Sequence, residues 1–308
     1  MTEELAPYLE ARPLMFSIAY RMTGSVSDAE DIVQEAFLRL TRALRDGTVI
    51  ESPKAFLATV TTRLAITHQT SARVRRESYV GPWLPEPLVA GLVDNAEPDP
   101  AEHAELSDSL SMAFLVLLES LGPAERAVFL LREVFGYEYA DIAETTGKSE
   151  QNCRQIFARA RRRIDEGRRA RFEASRAESE EVARRFFAAV QGGDMGNLLQ
   201  VLAPDVVTVG DGGGKAAVLS TPLHGAQRVA RFWLGLARRG QHEGAQMELT
   251  WVNGRPGVIA RDGAGRVAAV AALDIADGQV RSIQTVVNPD KLHLLGPVSD
   301  MALRQPRS

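Results

Sequence analysis

The tightest constraint in this chain is the stretch Tyr137–Ile164. A short run, Tyr139-Ala140-Asp141-Ile142-Ala143-Glu144-Thr145-Thr146, reads as a helix, and Gly147 behind it supplies the left-handed backbone that commonly ends one. Ser149 is a natural N-cap for a second helix, its hydroxyl able to accept from a backbone N–H two or three residues on. Glu150 suits the positive end of that helix. The second helix carries Cys153, Ile156, Phe157, Ala160 and Ile164 on one apolar stripe. Its early turns leave Gln151, Asn152, Arg154 and Gln155 mostly outside, and Arg159, Arg161, Arg162, Arg163, Arg168, Arg169 and Arg171 follow. This is the pattern of a helix-turn-helix DNA reader, with the early residues facing base edges and the arginines on phosphates. An αα-hairpin in an ordinary bundle shares the turn, so the neighbouring stretches decide between the two.

The chain has 308 residues, which suggests two or three domains. Its one cysteine, Cys153, sits on the apolar stripe, so no disulfide forms within the chain and a cytoplasmic setting fits. No basic-then-apolar leader and no apolar run of membrane length stand in the sequence, and no membrane partner is expected. The net charge of −4 is compatible with a DNA partner because arginine concentrates in 154–171 and acid elsewhere. The five histidines are scattered without metal-ligand spacing, so neither a metal nor a cofactor is expected.

Residues 1–80 read as three amphipathic helices. The first runs from about Glu4 to Met22 and stops near Thr23-Gly24. The next follows Ser27, with Ala29, Val33, Ala36, Phe37, Leu40 and Leu44 as its buried stripe and Asp28, Asp31 and Glu35 sharing one acidic face. The third opens with Ser52 as N-cap and Pro53 at the first helical position. It packs Phe56, Leu57, Val60 and Leu64 inward and runs out into a basic tail of Arg73, Arg75 and Arg76.

An isolated acidic helix face is ordinary solvated surface. Here a Ser-Asp-Ala-Glu-Asp-Ile-Val-Gln-Glu-Ala-Phe helix precedes Pro-Lys-Ala-Phe-Leu, an acidic linker, Leu121-Gly122-Pro123-Ala124-Glu125-Arg126-Ala127-Val128-Phe129, and then the reader. In that order, the first 170 residues or so resemble bacterial extracytoplasmic-function sigma factors. The resemblance implies a first domain that docks on core RNA polymerase through Asp28, Asp31, Gln34 and Glu35. It implies that the chain around 45–76, with Arg73, Arg75 and Arg76, opens and reads a promoter −10 element, its bases splayed and its backbone held by basic groups. The second helical domain, 108–174, then reads the −35 element in the major groove. Gln151, Asn152, Arg154 and Gln155 are the candidates near the helix start, and Arg159, Arg161 and Arg162 lie further along. Where the family often has a tryptophan and an asparagine in the third helix, this chain carries Phe56 and Arg63.

The linker 81–107 is proline-rich and acidic, as a solvated spacer would be. Trp83-Leu84-Pro85-Glu86-Pro87 departs from that pattern, because an apolar, proline-stiffened pair is better explained by docking onto another surface.

From about Ser175 the pattern becomes α+β. Helices are expected over 178–190, 195–202 and 226–237, and strands over 206–209, 245–252, 257–261, 267–275 and 279–287. Gly-rich turns separate the later strands as in antiparallel hairpins. Such a segment suggests a curved sheet wrapped on helices with an apolar cavity at its mouth. It resembles the SnoaL-like (NTF2-like, cone-shaped) family, and a sigma factor fused to such a domain resembles the sigma-J-like subgroup. Trp83–Pro87, Asp211-Gly212-Gly213-Gly214-Lys215 and Asn288-Pro289-Asp290-Lys291-Leu292 stand where that subgroup has its signatures. The resemblance implies that residues 175–308 regulate the sigma part in cis, with an intramolecular contact between tail and sigma domains at the linker, the glycine loop and Asn288, Pro289 and Asp290. Asp211–Lys215 lacks the glycine spacing and the hydroxyl residue of a nucleotide cradle.

The expected architecture is therefore two all-α sigma domains, the second with a helix-turn-helix, and an α+β tail. The alternative is a SnoaL-like enzyme or ligand sensor carrying a DNA-binding arm. Asp205, Asp211, His224 and Asp274 are the conceivable acid–base groups, but no paired spacing connects them.

Overall fold

The computed structural model of the chain describes residues 8–92, 109–167 and 175–301; for 72–77 and 167 only the backbone is described. The chain divides into two compact units. The first gathers Met1–Ser78, Asp94–Leu110 and Phe114–Arg169, and the second Tyr79–Val93, Ser111–Ala113 and Ala170–Ser308. The apolar stretch 83–87, a connector between helical modules in sequence, thus belongs to the unit built by the tail.

The first unit is helical. Helix α1 spans Arg12–Thr23 and ends at Gly24 in the left-handed conformation. It is shorter at its start than the expected 4–22, with a turn at residues 10–11; positions 1–7 lie outside the described residues. Helix α2, Val26–Arg45, starts two residues earlier than its pattern suggested. Ser25 adopts an extended backbone and its hydroxyl accepts from Asp28 N at 3.1 Å. Its buried stripe includes Ile32 and stops at Leu40; Phe37 is half-buried and Leu44 is exposed, because the second helix of a three-helix packing loses its neighbours towards its end.

Helix α3, Pro53–Glu77, has Ser52 accepting from Ala55 N at 3.3 Å. Its buried face is Leu57, Ala58, Thr61, Thr62, Ala65 and Gln69, while Phe56, Val60 and Leu64 are only half-buried. Small and hydroxyl-bearing residues face inward because α3 packs closely on α1 and α2 and also meets helices of the second module. Thr62 satisfies its hydroxyl on the Ala58 carbonyl, 2.8 Å away.

The second module comprises α4 (Met112–Leu118), α5 (Pro123–Phe129), α6 (Tyr139–Thr146) and α7 (Glu150–Gly167). A single wide turn, Leu130–Val134, extends α5. Its core holds Val128, Leu131, Ile142, Cys153 and Ile156. Buried Arg126 stitches the two modules: it donates to the Met22 carbonyl at 2.7 Å and the Leu118 carbonyl at 3.1 Å, and pairs with Glu119 at 2.7 Å. Arg168, Arg169 and Arg171 lie outside the described residues.

The tail forms a six-stranded sheet in the order β2-β1-β6-β5-β4-β3: β1 Leu202–Asp211, β2 Leu223–His224, β3 Gln246–Val252, β4 Arg255–Arg261, β5 Val267–Ala276 and β6 Gln279–Val286. Helices α8 (Arg176–Gly192), α9 (Met195–Val201) and α10 (Ala226–His242) pack around it. A short α11, Pro289–Leu292, follows the last strand. The expected hairpins are present over β3 to β6, but β1 joins β6 in parallel, with Asp211 opposite Val286. The alternation of side chains along a strand gives this sheet two buried faces. Val258, Ala271, Leu273 and Ile283 pack with the helices, Phe186 and Trp233 among them. Ile259, Val270, Ala272 and Val286 face the other way, where Leu84 and Val89 of the linker cover them together with Leu292 and Leu295.

Candidate functional site

The helix-turn-helix forms as its residues dictate. Gly147 takes φ 66°, Ser149 Oγ accepts from Asn152 N at 3.2 Å, and Cys153, Ile156, Ala160 and Ile164 are buried on the stripe of α7. Gln151, Asn152, Arg154, Gln155, Arg159, Arg161 and Arg162 are all exposed. Arg154 is also positioned: it pairs with Glu150 at 2.8 Å and lies over the Tyr139 ring at 4.9 Å, which Arg132 also approaches at 5.0 Å.

On α2, Asp31 and Gln34 are exposed, whereas Asp28 lies 3.4 Å from His68 Nε2 and Glu35 pairs with Arg39 at 2.9 Å. Arg63 crosses to the reader, donating to the Thr145 carbonyl at 3.0 Å and the Glu144 carbonyl at 2.7 Å, at the C-terminal end of α6. There a cation meets the negative end of the helix dipole. Thr59 and Thr145 hydroxyls meet beside it at 3.1 Å. For Arg73, Arg75 and Arg76 the backbone of α3 is helical; their side chains lie outside the described residues.

The most heavily built polar site is in the tail unit, around Asp211, whose side chain is fully buried. One carboxylate oxygen accepts from the Tyr79 hydroxyl at 2.6 Å and from Gly213 N at 3.0 Å. The other accepts from Leu84 N at 2.8 Å and from Lys291 Nζ at 2.7 Å. Lys291, itself buried, also donates to the Leu84 carbonyl at 2.5 Å and lies over the Trp83 ring at 4.4 Å and the Tyr79 ring at 5.0 Å. A buried ion pair is tolerated only when its remaining donors and acceptors are met, and here the linker meets them. Burial first, then the hydrogen bond to Asp211, raises the Tyr79 phenol above its ordinary value.

The glycine loop fits against this clamp. Gly213 has φ 58°, and a side chain there would collide with the Asn288 amide and crowd the Tyr79 hydroxyl. Asn288 Nδ2 donates to that hydroxyl at 2.8 Å, and its Oδ1 caps α11 by accepting from Asp290 N at 3.1 Å. Lys215 and Asp290 close the loop from outside with an exposed pair at 2.5 Å. Further along, the Leu88 N–H donates to Asn253 Oδ1 at 3.0 Å while Asn253 N donates to the Leu88 carbonyl at 2.8 Å. Leu84, Pro85, Glu86, Pro87, Leu88 and Val89 are all buried, and Trp83 is half-buried.

The structure thus brings Trp83, Leu84, Asp211, Gly213 and Asn288 together. It adds two residues not among the expected contacts, Tyr79 and Lys291. Lys291 stands inside the quoted Asn288–Leu292 motif; Tyr79 has no sequence signal beyond its place just before the apolar stretch. Asp205 pairs with Arg281 at 3.3 Å, Asp274 accepts from Ser282 Oγ at 3.4 Å and His224 is exposed on β2, so the conceivable acid–base groups are dispersed.

Residues 8–75 match the family model for sigma-70 region 2, and 111–164 that for sigma-70 region 4. The chain is 37% identical over 295 residues to the ECF RNA polymerase sigma factor SigJ of Mycobacterium tuberculosis, covering 94% of this chain and 93% of that protein. The chain belongs to the extracytoplasmic-function sigma factors. This sigma factor is also 37% identical to the probable ECF RNA polymerase sigma factor SigI of M. tuberculosis, over 91% of this chain and 92% of the other. Its fold matches the crystal structure of M. tuberculosis SigJ with a TM-score of 0.73 and 35% identity, covering 94% of this chain and 98% of that one. Among the described residues of this sigma factor, no helix is long and apolar enough to cross a membrane.

Proposed function

We infer that the chain is an alternative sigma factor that joins core RNA polymerase and directs initiation at promoters with −10 and −35 elements. The observation that carries this is the presence of both promoter-side modules, regions 2 and 4, on one chain. Asp28, Asp31, Gln34 and Glu35 make the polymerase contact, with Asp31 and Gln34 the most accessible of the four. Gln151, Asn152, Arg154 and Gln155 face the −35 bases, and Arg159, Arg161 and Arg162 face phosphates. Arg73, Arg75 and Arg76 serve the −10 strand. The working modules are 1–80, 108–174 and 175–308, joined by the linker 81–107, and the protein acts in the cytoplasm.

The two promoter elements are about 25 base pairs apart, or roughly 85 Å at about 3.4 Å per base pair. Arg63 meanwhile holds the −10 helix against the reader's first helix at hydrogen-bond distance. Promoter engagement therefore requires the first unit to open there. Arg63→Ala removes two charge-assisted hydrogen bonds and should raise promoter occupancy by free protein severalfold. Occupancy equal to wild type in a gel-shift titration would argue against this opening.

The tail acts in cis through the linker it grips, rather than as an enzyme. This rests on the clamp around Asp211 and on the dispersal of Asp205, His224 and Asp274. The test is run-off transcription with core polymerase, comparing wild type with Lys291→Met. The variant should bind core polymerase yet change transcript yield. Failure of the wild type to bind core polymerase or yield a transcript would overturn the sigma reading. An unchanged yield for the variant would overturn only the control in cis.

A further inference from the structure

We propose that the cavity on the helix side of the tail sheet is a binding site for a small, neutral, mostly apolar molecule with one hydrogen-bonding group. We propose further that the linker feels its occupancy through the sheet; this second step rests on the reading of the clamp as the tail's means of control.

The cavity has a volume of about 170 Å³. A cavity of about 150 Å³ with aliphatic walls takes benzene, so this one suits a single substituted ring. Room is made by small side chains, Ala260, Ala268, Ala269 and Ala271, under the larger Trp233 and Met247. Only two of the lining residues carry charge, Arg239 and Glu243, and they pair with each other at 3.2 Å. Neither a carboxylate nor an ammonium ligand would find an uncommitted counter-charge there, which selects a neutral molecule. One wall group asks for a polar partner. Thr285 is buried, and no protein group meets its hydroxyl. A hydroxyl or carbonyl on the ligand would answer it, at the scale of a net hydrogen bond, about 1 kcal/mol. The lining contains no histidine and no carboxylate other than Glu243, which favours binding over acid–base chemistry.

The route to the linker is the pleat of β6. Thr285 and Val287 line the cavity, while Val286 between them packs on the opposite face in the cluster with Leu84 and Val89. Val286 is also the ladder partner of Asp211, and the N–H groups of Val287 and Asn288 both donate to the Asp211 carbonyl, at 2.9 and 3.0 Å. A shift of β6 that seats a ligand therefore moves the backbone that holds the clamp.

The test is isothermal calorimetry on the full chain with p-cresol, toluene and 4-methylbenzoate. Saturable binding is expected for p-cresol, weaker binding for toluene and none for the anion. Thr285→Val should cost p-cresol about five- to tenfold in affinity, the size of one hydrogen bond, and leave toluene unchanged. Ala269→Leu should abolish binding of both while the far-ultraviolet dichroism stays that of wild type. No saturable p-cresol binding, equal binding of 4-methylbenzoate, or unchanged affinity in Thr285→Val would overturn the site. Hydrogen exchange at the Leu84 and Leu88 amides, read with and without saturating p-cresol, tests the coupling. An altered rate is expected, and an unchanged rate with ligand bound would overturn the coupling. Neither readout uses polymerase, so failure of this proposal and failure of the sigma reading show in different experiments.

Discussion

Each unit of the molecule buries a charge at its centre, and the two solve the problem in opposite ways. In the first unit Arg126 is surrounded by helix ends: the Met22 and Leu118 carbonyls belong to the last turns of α1 and α4, and Glu119 follows directly. Those acceptors exist as soon as each helix forms, because the last carbonyls of any helix lack intrahelical partners. In the tail unit Asp211 collects donors from three remote places, the linker at Tyr79 and Leu84, the loop at Gly213, and Lys291 after the last strand. The first arrangement asks only that helices pack. The second makes the linker part of the solvation shell of a buried carboxylate, so the tail cannot release residues 79–89 without exposing or orphaning a charge.

The largest effect should come from splitting the tail's pair. Lys291→Met leaves Asp211 buried without its cation and should cost about 3–5 kcal/mol, read as a lower denaturant midpoint of the tail transition. Adding Asp211→Leu should restore part of that loss. A single variant within about 1 kcal/mol of wild type would break the contrast. Next in size, Arg126→Met should cost about 2–3 kcal/mol by the same measurement, because Glu119 is partly exposed and can be rehydrated.

Arg154→Ala sharpens the contrast from the other side. Its guanidinium is 57% exposed, so stability should hold while promoter binding weakens by about 1–3 kcal/mol if it reads a base and by less if it meets only phosphate. A gel-shift titration against point-substituted −35 sequences separates those cases. The smallest effect concerns a second tail carboxylate. Asp262 accepts from Ser299 Oγ at 2.6 Å and pairs with Arg266 at 2.8 Å, and these hydrogen bonds, Ser299's first, hold it down at about 2 from an ordinary 3.8. Because its folded value is depressed, its contribution is complete above about pH 4 and disappears as pH falls through about 2. Hydrogen exchange at residues 297–301 should therefore accelerate over that window and stay flat from pH 5 to 7.

What the sequence made legible follows the same division. The helix-turn-helix, its Gly147 stop and Ser149 cap, and the strands from β3 to β6 were readable to within a few residues, because each depends on side chains a few positions apart. The start of α2 was misplaced because the left-handed Gly24 hands the cap to Ser25 at once. The inward face of α3 was misread because Thr61 and Thr62 look like solvent residues until a second helical module covers them. Among the clamp residues, Leu84, Asp211 and Asn288 were flagged by motif. Lys291 and Tyr79 were not, since a lysine in a short helix and a tyrosine after a basic helix both read as surface. Only the parallel pairing of β1 with β6, which no local pattern encodes, brings them to the same carboxylate.

The two-faced sheet has a practical consequence for dissecting the protein. Cutting the chain at residue 175 removes the surface that Leu84, Leu88 and Val89 rest on and strands a sticky ribbon in water; each aliphatic side chain so unmasked forfeits about 1.5–3 kcal/mol. Such a fragment would invite chaperones or self-association, and its behaviour would report that adhesiveness as much as the missing tail. Clean surgery takes the ribbon out together with the sheet, or leaves both in place and edits single side chains.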